Sequence, residues 1–265
     1  MTWSILGRDE HGRLGAAVAS RFFAVGALCL HTRCGVGVLS TQALLNPVYG
    51  PAGLDLLSEG RSAVEVVATL TGADAGRAQR QLHVLPAFGP PAAHTGDTCV
   101  DCCGHLLFDD FSVAGNMLAS PQVIAATAEA YRKAQGLPLA ERLLAAMAAG
   151  EAAGGDKRGK QGAALRIHGD EDYVELDLRV DDHAEPIVEL HRLYEVSLER
   201  FQPFLACLAG RHDGAGVTDR AEIEARIERF HAERAAKKTC RLCTRCAACA
   251  RTSRPTTASS PRSTA

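Results

Sequence analysis

The chain has 265 residues, is 46% hydrophobic and only 5% aromatic, and carries a formal net charge of −2. That much apolar material excludes a disordered chain. One tryptophan and near-neutrality argue against a stacking platform or a general attraction for nucleic acid.

Residues 3–7, 14–20, 24–30 and 35–41 hold short or alternating apolar runs and read as four strands. Asp9-Glu10-His11-Gly12 and Thr32-Arg33 are the turn signals between them. Residues 51–57 have helical spacing and stop at Gly60. Ser62 with Glu65 three residues on is a capping-box pattern, opening a second helix that ends near Gly72. Residues 81–85, 92–95 and 111–115 read as strands, the last running into Asn116. Ser120-Pro121 opens a helix that reaches about Ala134, with proline at the first helical position. Pro138 opens another, apolar at Leu139, Leu143, Leu144 and Met147 and closed by Gly154-Gly155. Residues 163–167 and 173–180 complete the strands.

Helix pairs set between groups of strands predict an α+β fold with helices on two faces of stacked, mainly antiparallel sheets. No G-x-G-x-x-G follows a strand, which argues against a dinucleotide fold. Residues 185–208 and 218–235 read as two amphipathic helices of an appendage. From Lys237 onward there are seven basic residues and no acid, in a stretch rich in Arg, Thr, Ser and Ala. Cys240, Cys243, Cys246 and Cys249 there have the spacing of a cluster-binding run but no surrounding hydrophobic strands, so an unstructured tail stands beside a metal site as the reading. The expected division is 1–183 for the main domain, 184–238 for a helical extension and 239–265 for a disordered tail. No apolar run approaches the roughly 20 residues of a membrane helix. The N-terminus lacks the basic and apolar regions of a signal peptide, so a cytoplasmic protein is expected.

Thr2 is the most informative position. Methionine ahead of a small residue is normally removed, leaving threonine with a free α-amine. With a pKa near ~8 that amine is partly neutral at cytoplasmic pH, and it can serve as base for the hydroxyl of its own residue. The alternative is a chance Met-Thr start.

The residues around Thr2 resemble the N-terminal nucleophile (Ntn) hydrolases, the superfamily of proteasome β subunits. Thr2-Trp3-Ser4-Ile5-Leu6 is similar to their first buried strand, and Ala16-Ala17-Val18-Ala19-Ser20-Arg21 to their second, with Ala19 where the proteasome has aspartate. No lysine precedes Lys133, so Arg33 is the nearest candidate cation. An arginine can position or stabilise but cannot exchange protons as lysine does. A closer resemblance is to a bacterial family, domain of unknown function 1028. It is carried by Ala17-Val18-Ala19-Ser20-Arg21-Phe22-Phe23, Gly35-Val36-Gly37, Thr41-Gln42-Ala43, Asn46-Pro47-Val48-Tyr49-Gly50-Pro51, Gly115-Asn116-Met117-Leu118, Gly154-Gly155-Asp156-Lys157-Arg158-Gly159 and Arg179-Val180-Asp181-Asp182-His183. The resemblance implies a four-layer αββα sandwich and, by superfamily analogy, a hydrolase site.

On that reading Thr2 is the nucleophile, and Asn116 is either an oxyanion donor or a turn residue at a strand end. Asp156 orients the Thr2 amine, and Arg158 holds a substrate carboxylate, unless their loop is a plain solvated connection. Ser20, Arg21, Arg33, Gln42 and Asn46 are the remaining candidate substrate groups. Cys99, Cys102 and Cys103 with His94 and His105 lack the paired spacing of a zinc site and read as reduced loop thiols. The expected function is cleavage of a small-molecule or peptide-like amide through an acyl-enzyme on Thr2, with no cofactor or metal, in a homo-oligomer. The rival is an inactive binding or scaffold protein on the same fold, associated with the cell wall.

Overall fold

A computed structural model describes the backbone of residues 2–252 and the side chains of residues 2–236. It divides into two compact units, Met1–Leu198 and Glu199–Ala265.

The first unit is built on two antiparallel sheets. Strands β1 (Thr2–Arg8), β2 (Leu14–Ser20), β3 (Leu30–Arg33), β4 (Gly37–Ala43), β5 (Arg80–Pro86), β6 (Ala92–Thr95), β7 (Gly104–Leu107), β8 (Phe111–Asn116), β9 (Gly162–His168) and β10 (Leu176–Val180) form them. The first sheet has the order β10-β9-β2-β1-β8-β7 and the second β3-β4-β5-β6. Helices α2 (Tyr49–Ser58) and α3 (Ala63–Gly72) cover the outer face of the second sheet. Helices α4 (Gln122–Lys133) and α5 (Leu139–Ala152) cover the outer face of the first. The facing sheets touch through β1, β2, β4, β5 and β8, which completes a four-layer αββα sandwich.

Strand alternation decides which layer each side chain enters. In β5, Leu82 and Val84 join Leu39, Leu54, Val66 and Leu70 under the outer helices. Leu85 instead joins Leu6, Leu14, Val18, Leu30 and Val38 between the sheets. β1 is buried on both faces because it has a sheet neighbour on each side and a layer above and below. Each of these aliphatic side chains contributes about 1.5–3 kcal/mol by leaving water. The capping box opens α3, with Glu65 N–H donating to Ser62 Oγ at 3.3 Å and Ser62 N–H to Glu65 Oε2 at 2.9 Å.

The structure corrects three expectations of local structure. The segment 24–30 is helix α1 (Val25–Cys29) followed by β3, not one strand. Ala24 turns the chain with φ 51°, and Gly26 lets α1 press onto β9, where a Cβ would lie 2.3 Å from that of Ala164. Strand β7 has no counterpart among the expected elements. The single helix expected over 185–208 is two, α6 (Pro186–Ser197) and α7 (Phe201–Leu205). A continuous helix would drive the Pro203 ring into the Glu199 carbonyl.

α6 packs on α5, β9 and β10 within the first unit. The second unit pairs α7 with α8 (Arg220–Thr252). Arg200 clamps Glu224 there, and Ile227 is buried. α8 runs through the start of the segment expected as a disordered tail. Residues 253–265, and the side chains of the four tail cysteines, lie outside the described residues. Among the described residues no helix is long and apolar enough to cross a membrane.

Candidate functional site

Thr2 heads the central strand of the first sheet and is 5% exposed. Asn116 at the end of β8 is its direct cross-strand partner on one side. On the other side the β1–β2 register, Trp3 opposite Ala19, sets Ser20 beside it. Directly paired residues project to the same face, so three polar side chains stand in a row across three strands. Thr2 Oγ1 donates to Ser20 Oγ at 3.3 Å, and Asn116 Nδ2 donates to the Thr2 carbonyl at 3.4 Å.

From Asn116 a chain of hydrogen bonds runs inward between the sheets. Gln81 Oε1 accepts from Asn116 Nδ2 at 3.0 Å and from Gln42 Nε2 at 2.6 Å. Gln81 Nε2 faces Thr95 Oγ1, the Gly104 carbonyl and the Gly115 carbonyl, all within 3.0 Å. Ser4 Oγ donates to Gln42 Oε1 at 2.7 Å and lies 2.8 Å from His83 Nε2. His83 Nδ1 is 2.9 Å from Ser112 Oγ. Complete burial, helped by His105, pushes His83 down to about 3, so the ring is neutral. With the Ser4 proton on Gln42, His83 must donate from Nε2 and accept at Nδ1 from Ser112. Each bond from Gln42 through Ser4 and His83 to Ser112 then has one donor and one acceptor.

Sequence reasoning named Gln42 as a pocket residue. The structure instead encloses it completely as a link in this chain. Ser4, Gln81, His83 and Ser112 went unnamed, although a signal existed. Ser40-x-Gln42 and Gln81-x-His83 place polar residues at alternate positions of two otherwise apolar strands, on the core-facing side. Left-handed backbone on non-glycine residues, which costs about 1–2 kcal/mol each, follows directly on two of these amides, at Ala43 and Met117. Such strain gathers where surrounding structure holds a functional site in place.

The loop after α5 crosses the same end of the sheet. Gly154, Gly155 and Gly159 have positive φ, which permits its tight path. Ala119 N–H donates to the Gly155 carbonyl at 3.0 Å on the β8 side, and Arg21 N–H to Asp156 Oδ2 at 2.8 Å on the β2 side. The loop therefore spans the strand between them, β1, at its Thr2 end. Asp156 is buried and its carboxylate is occupied: Oδ1 accepts from Arg158 N–H at 2.9 Å, and Oδ2 from Arg158 Nη2 at 3.1 Å. The Arg21 guanidinium reaches the Arg158 carbonyl. Asp156 thus fastens the residue after Ser20 rather than bonding Thr2 itself. Among the described residues, a cavity of about 80 Å³ lies behind this loop, walled by Trp3, Ala19, Ser20, Gly155, Asp156 and Pro186, with Glu151 and Lys160 at its side.

Two named residues stand apart. Arg33 pairs with Gly37, at the end of β4 that meets Pro86 and faces the Arg8 end of β1. It binds Asp55 at 2.9 Å and is the wrong cation for Thr2. Asn46 donates to Asp74 at 3.3 Å and caps Val48 N–H, joining Tyr49 and Arg80 around Asp74. His94 and His105 bond the Arg77 carbonyl and the Thr95 hydroxyl.

Residues 2–190 match a family of unknown function, DUF1028. Protein SPO2555 from Silicibacter pomeroyi, of the same family, is 32% identical, covers 83% of this chain and 96% of its own, and superposes with a TM-score of 0.76. Anbu (ancestral β-subunit) from Yersinia bercovieri is 11% identical over 74% of this chain and 94% of its own, with a TM-score of 0.38. BPH from Thiobacillus denitrificans, solved in complex with epoxomicin, is 13% identical over 63% of this chain and 97% of its own, with a TM-score of 0.37. No curated protein matches. With the family match spanning most of the sandwich and the SPO2555 likeness extending over it, the chain belongs to the DUF1028 family.

Proposed function

We propose that the protein is an N-terminal nucleophile amidohydrolase acting on a small-molecule or peptide-like amide. The observation that carries this reading is the Thr2 hydroxyl at the head of the central strand, 3.3 Å from Ser20 Oγ and opposite Asn116. Removal of Met1 leaves the Thr2 α-amine free as the base. As Oγ1 attacks the amide carbon, the amine takes its proton and then passes it to the departing nitrogen while the C–N bond breaks. Water, deprotonated by the same amine, hydrolyses the ester and releases the acid, restoring Thr2.

Asn116 supports the oxyanion. Of its two amide bonds the 3.4 Å contact to the Thr2 carbonyl is the longer, and that hydrogen is the one available to developing charge. Asp156 acts as a positioning residue through Arg21 and Ser20. Arg158 is the cation on the loop for an anionic group of the substrate.

A second reading has its own observation. No side-chain base touches Thr2 among the described residues: Asp156 and Arg158 satisfy each other, and Lys160 lies between Glu151 and Glu185. An inactive binding protein on the same fold would look this way. A small peptide epoxyketone separates the two, because the Thr2 hydroxyl adds to its ketone and the free amine opens its epoxide. Intact mass should show a chain starting at Thr2 and gaining the whole reagent, with Thr2→Ala unlabelled and Asn116→Ala slowed roughly 10²–10³-fold. A wild type that keeps Met1 and labels no better than Thr2→Ala establishes the binding protein instead.

A further inference from the structure

Phe88 is the most exposed large apolar side chain among the described residues, at 88%. It stands in the turn between β5 and β6, and that turn is held at several points. Arg8 Nη1 faces the Pro86, Ala87 and Gly89 carbonyls at 2.8, 2.9 and 3.2 Å. Ala87 N–H donates to the Val36 carbonyl at 2.9 Å, and Pro90 and Pro91 follow. An aromatic ring fixed in water is the form an interface anchor takes, because little loop freedom remains to be lost on binding.

The same guanidinium reaches a pocket. Arg8 Nη2 donates to the Asp109 carbonyl at 3.1 Å. Asp109 lines a pocket of about 800 Å³ together with Leu107, Phe108, Arg132 and Arg142. Rings and guanidinium planes follow one another along its wall. Arg132 lies 5.9 Å over Phe108, Phe108 stacks on Phe111 at 4.2 Å, Phe111 tilts against Tyr131 at 4.7 Å, and Arg142 lies 4.0 Å over Tyr131. Among the described residues neither arginine makes a hydrogen bond, and Arg142 has only Asp110, at 3.7 Å. The lining charges balance: Glu129 is bonded to Lys133 at 2.6 Å, and Asp109 and Asp110 match Arg132 and Arg142. The pocket therefore selects no ion. Ring faces and guanidinium planes without hydrogen-bond partners favour a further aromatic ring. A cavity of ~150 Å³ holds a benzene ring, so a phenyl group has room here.

Phe88 does not fill the pocket of its own chain, since it stands in solvent. We propose that this end of the sandwich pairs with the same end of a second copy, Phe88 of each chain entering the ring-lined pocket of the other. Projection and pocket are joined through one guanidinium at one end of the first unit. A two-fold contact needs this arrangement, with both complementary parts on a single patch. The balanced charges suit it as well, because two faces without net charge approach without repulsion. Thr2 lies at the other end of β1, so the pairing is independent of the reading of Thr2 as nucleophile.

Sedimentation velocity of the full-length chain at micromolar concentration, in reducing buffer, should show a dimer. Phe88→Ser should weaken association at least about a hundredfold, since both anchors are lost at once. Its melting temperature, with the change at so exposed a position, should stay that of the wild type. Phe88→Tyr keeps the ring and should keep the dimer. Arg132→Glu, at an exposed position, spoils the pocket; it is measured at about 0.5 M salt, where charge repulsion is screened. Neither Phe88→Ser nor Arg132→Glu should associate alone. An equimolar mixture of the two regains one of the two contacts, so heterodimers weaker than the wild-type dimer should appear. A monomeric wild type, a Phe88→Ser protein that dimerises like the wild type, or a mixture without heterodimers overturns the proposal.

Discussion

The layer between the two sheets has two unlike halves. Toward the Arg8 end of β1 it is apolar, with Leu6, Leu14, Val38 and Leu85 interlocked. Toward the Thr2 end β1, β4, β5 and β8 contribute Ser4, Ser40, Gln42, Gln81, His83 and Asn116, with Ser112 at the boundary opposite Leu6, all essentially inaccessible to solvent. The apolar half is held by contacts that tolerate small shifts, because dispersion and area burial are not directional. The polar half is held by directed bonds, and a buried donor or acceptor that loses its partner loses the full cost of its desolvation. One half fixes the sheets together; the other fixes where their side chains stand. Thr2 lies at the open end of the second kind, and an amide nucleophile needs that kind of placement.

The largest expected contrast comes from one substitution in each half. Gln81→Met keeps the volume but strands the Asn116 and Gln42 amides and the Gly104 and Gly115 carbonyls. At about 1–3 kcal/mol per unpaired group, the urea midpoint should fall by the equivalent of on the order of 3 kcal/mol or more. Epoxyketone labelling of Thr2 should be lost with it, even where the protein remains folded. Leu6→Ala should lose about 2–5 kcal/mol from the cavity it leaves, yet label at an undiminished rate while folded. Equal labelling by the two variants would remove the distinction between the halves.

A smaller effect follows from His83, which sits in the polar half and resists protonation down to about pH 3. An unfolded histidine takes up its proton near pH 6.5. Between these values the unfolded chain binds more protons than the folded one. The stability His83 contributes is therefore full above pH 6.5 and lost as pH falls toward 3, by up to ~1.4 kcal/mol per pH unit. Burial lowers His31, His105 and His168 in the same direction, so the wild-type slope alone does not isolate His83. His83→Gln keeps hydrogen-bonding groups without a titrating proton. Chemical denaturation between pH 6.5 and 4.5, above most carboxylate titrations, should show a shallower loss in the variant. Parallel slopes would mean that His83 charges in place.

What could be read from the sequence divides along the same line. Strand alternation and the Ser62–Glu65 cap located most of the elements, because these signals are local. The pairing of Thr2 with Ser20 and Asn116 was legible once β1, β2 and β8 were recognised, since Thr2 opens its strand and the other two close theirs. The network was not. Gln42 and Gln81 are 39 positions apart, and only the β4–β5 register makes them partners. α1 was missed because alternating Ala, Val, Gly and Leu suit a buried strand as well as a short helix. Lys160, two residues beyond the candidate Arg158 in the same loop, was missed because nothing local joins it to Glu151 and Glu185, its partners in the fold.

The smallest effect is expected where the site was wrongly extended. Arg33 was the candidate cation among the early strands, yet it stands at the apolar end of the layer. Five residues separate Gly37, its cross-strand partner, from Gln42, and at about 3.4 Å per residue that is roughly 17 Å along β4. Its bond to Asp55 joins a 41% exposed side chain to a 63% exposed one. Water screens such a pair and both side chains lose rotamer freedom in making it, so its contribution is about 0–1 kcal/mol. Arg33→Ala should leave the urea midpoint within that margin and the Thr2 labelling rate unchanged across ionic strength. A labelling rate that falls and becomes salt-dependent would mean that the Arg33 charge reaches Thr2 over the whole length of the layer, and that the apolar half takes part in the chemistry after all.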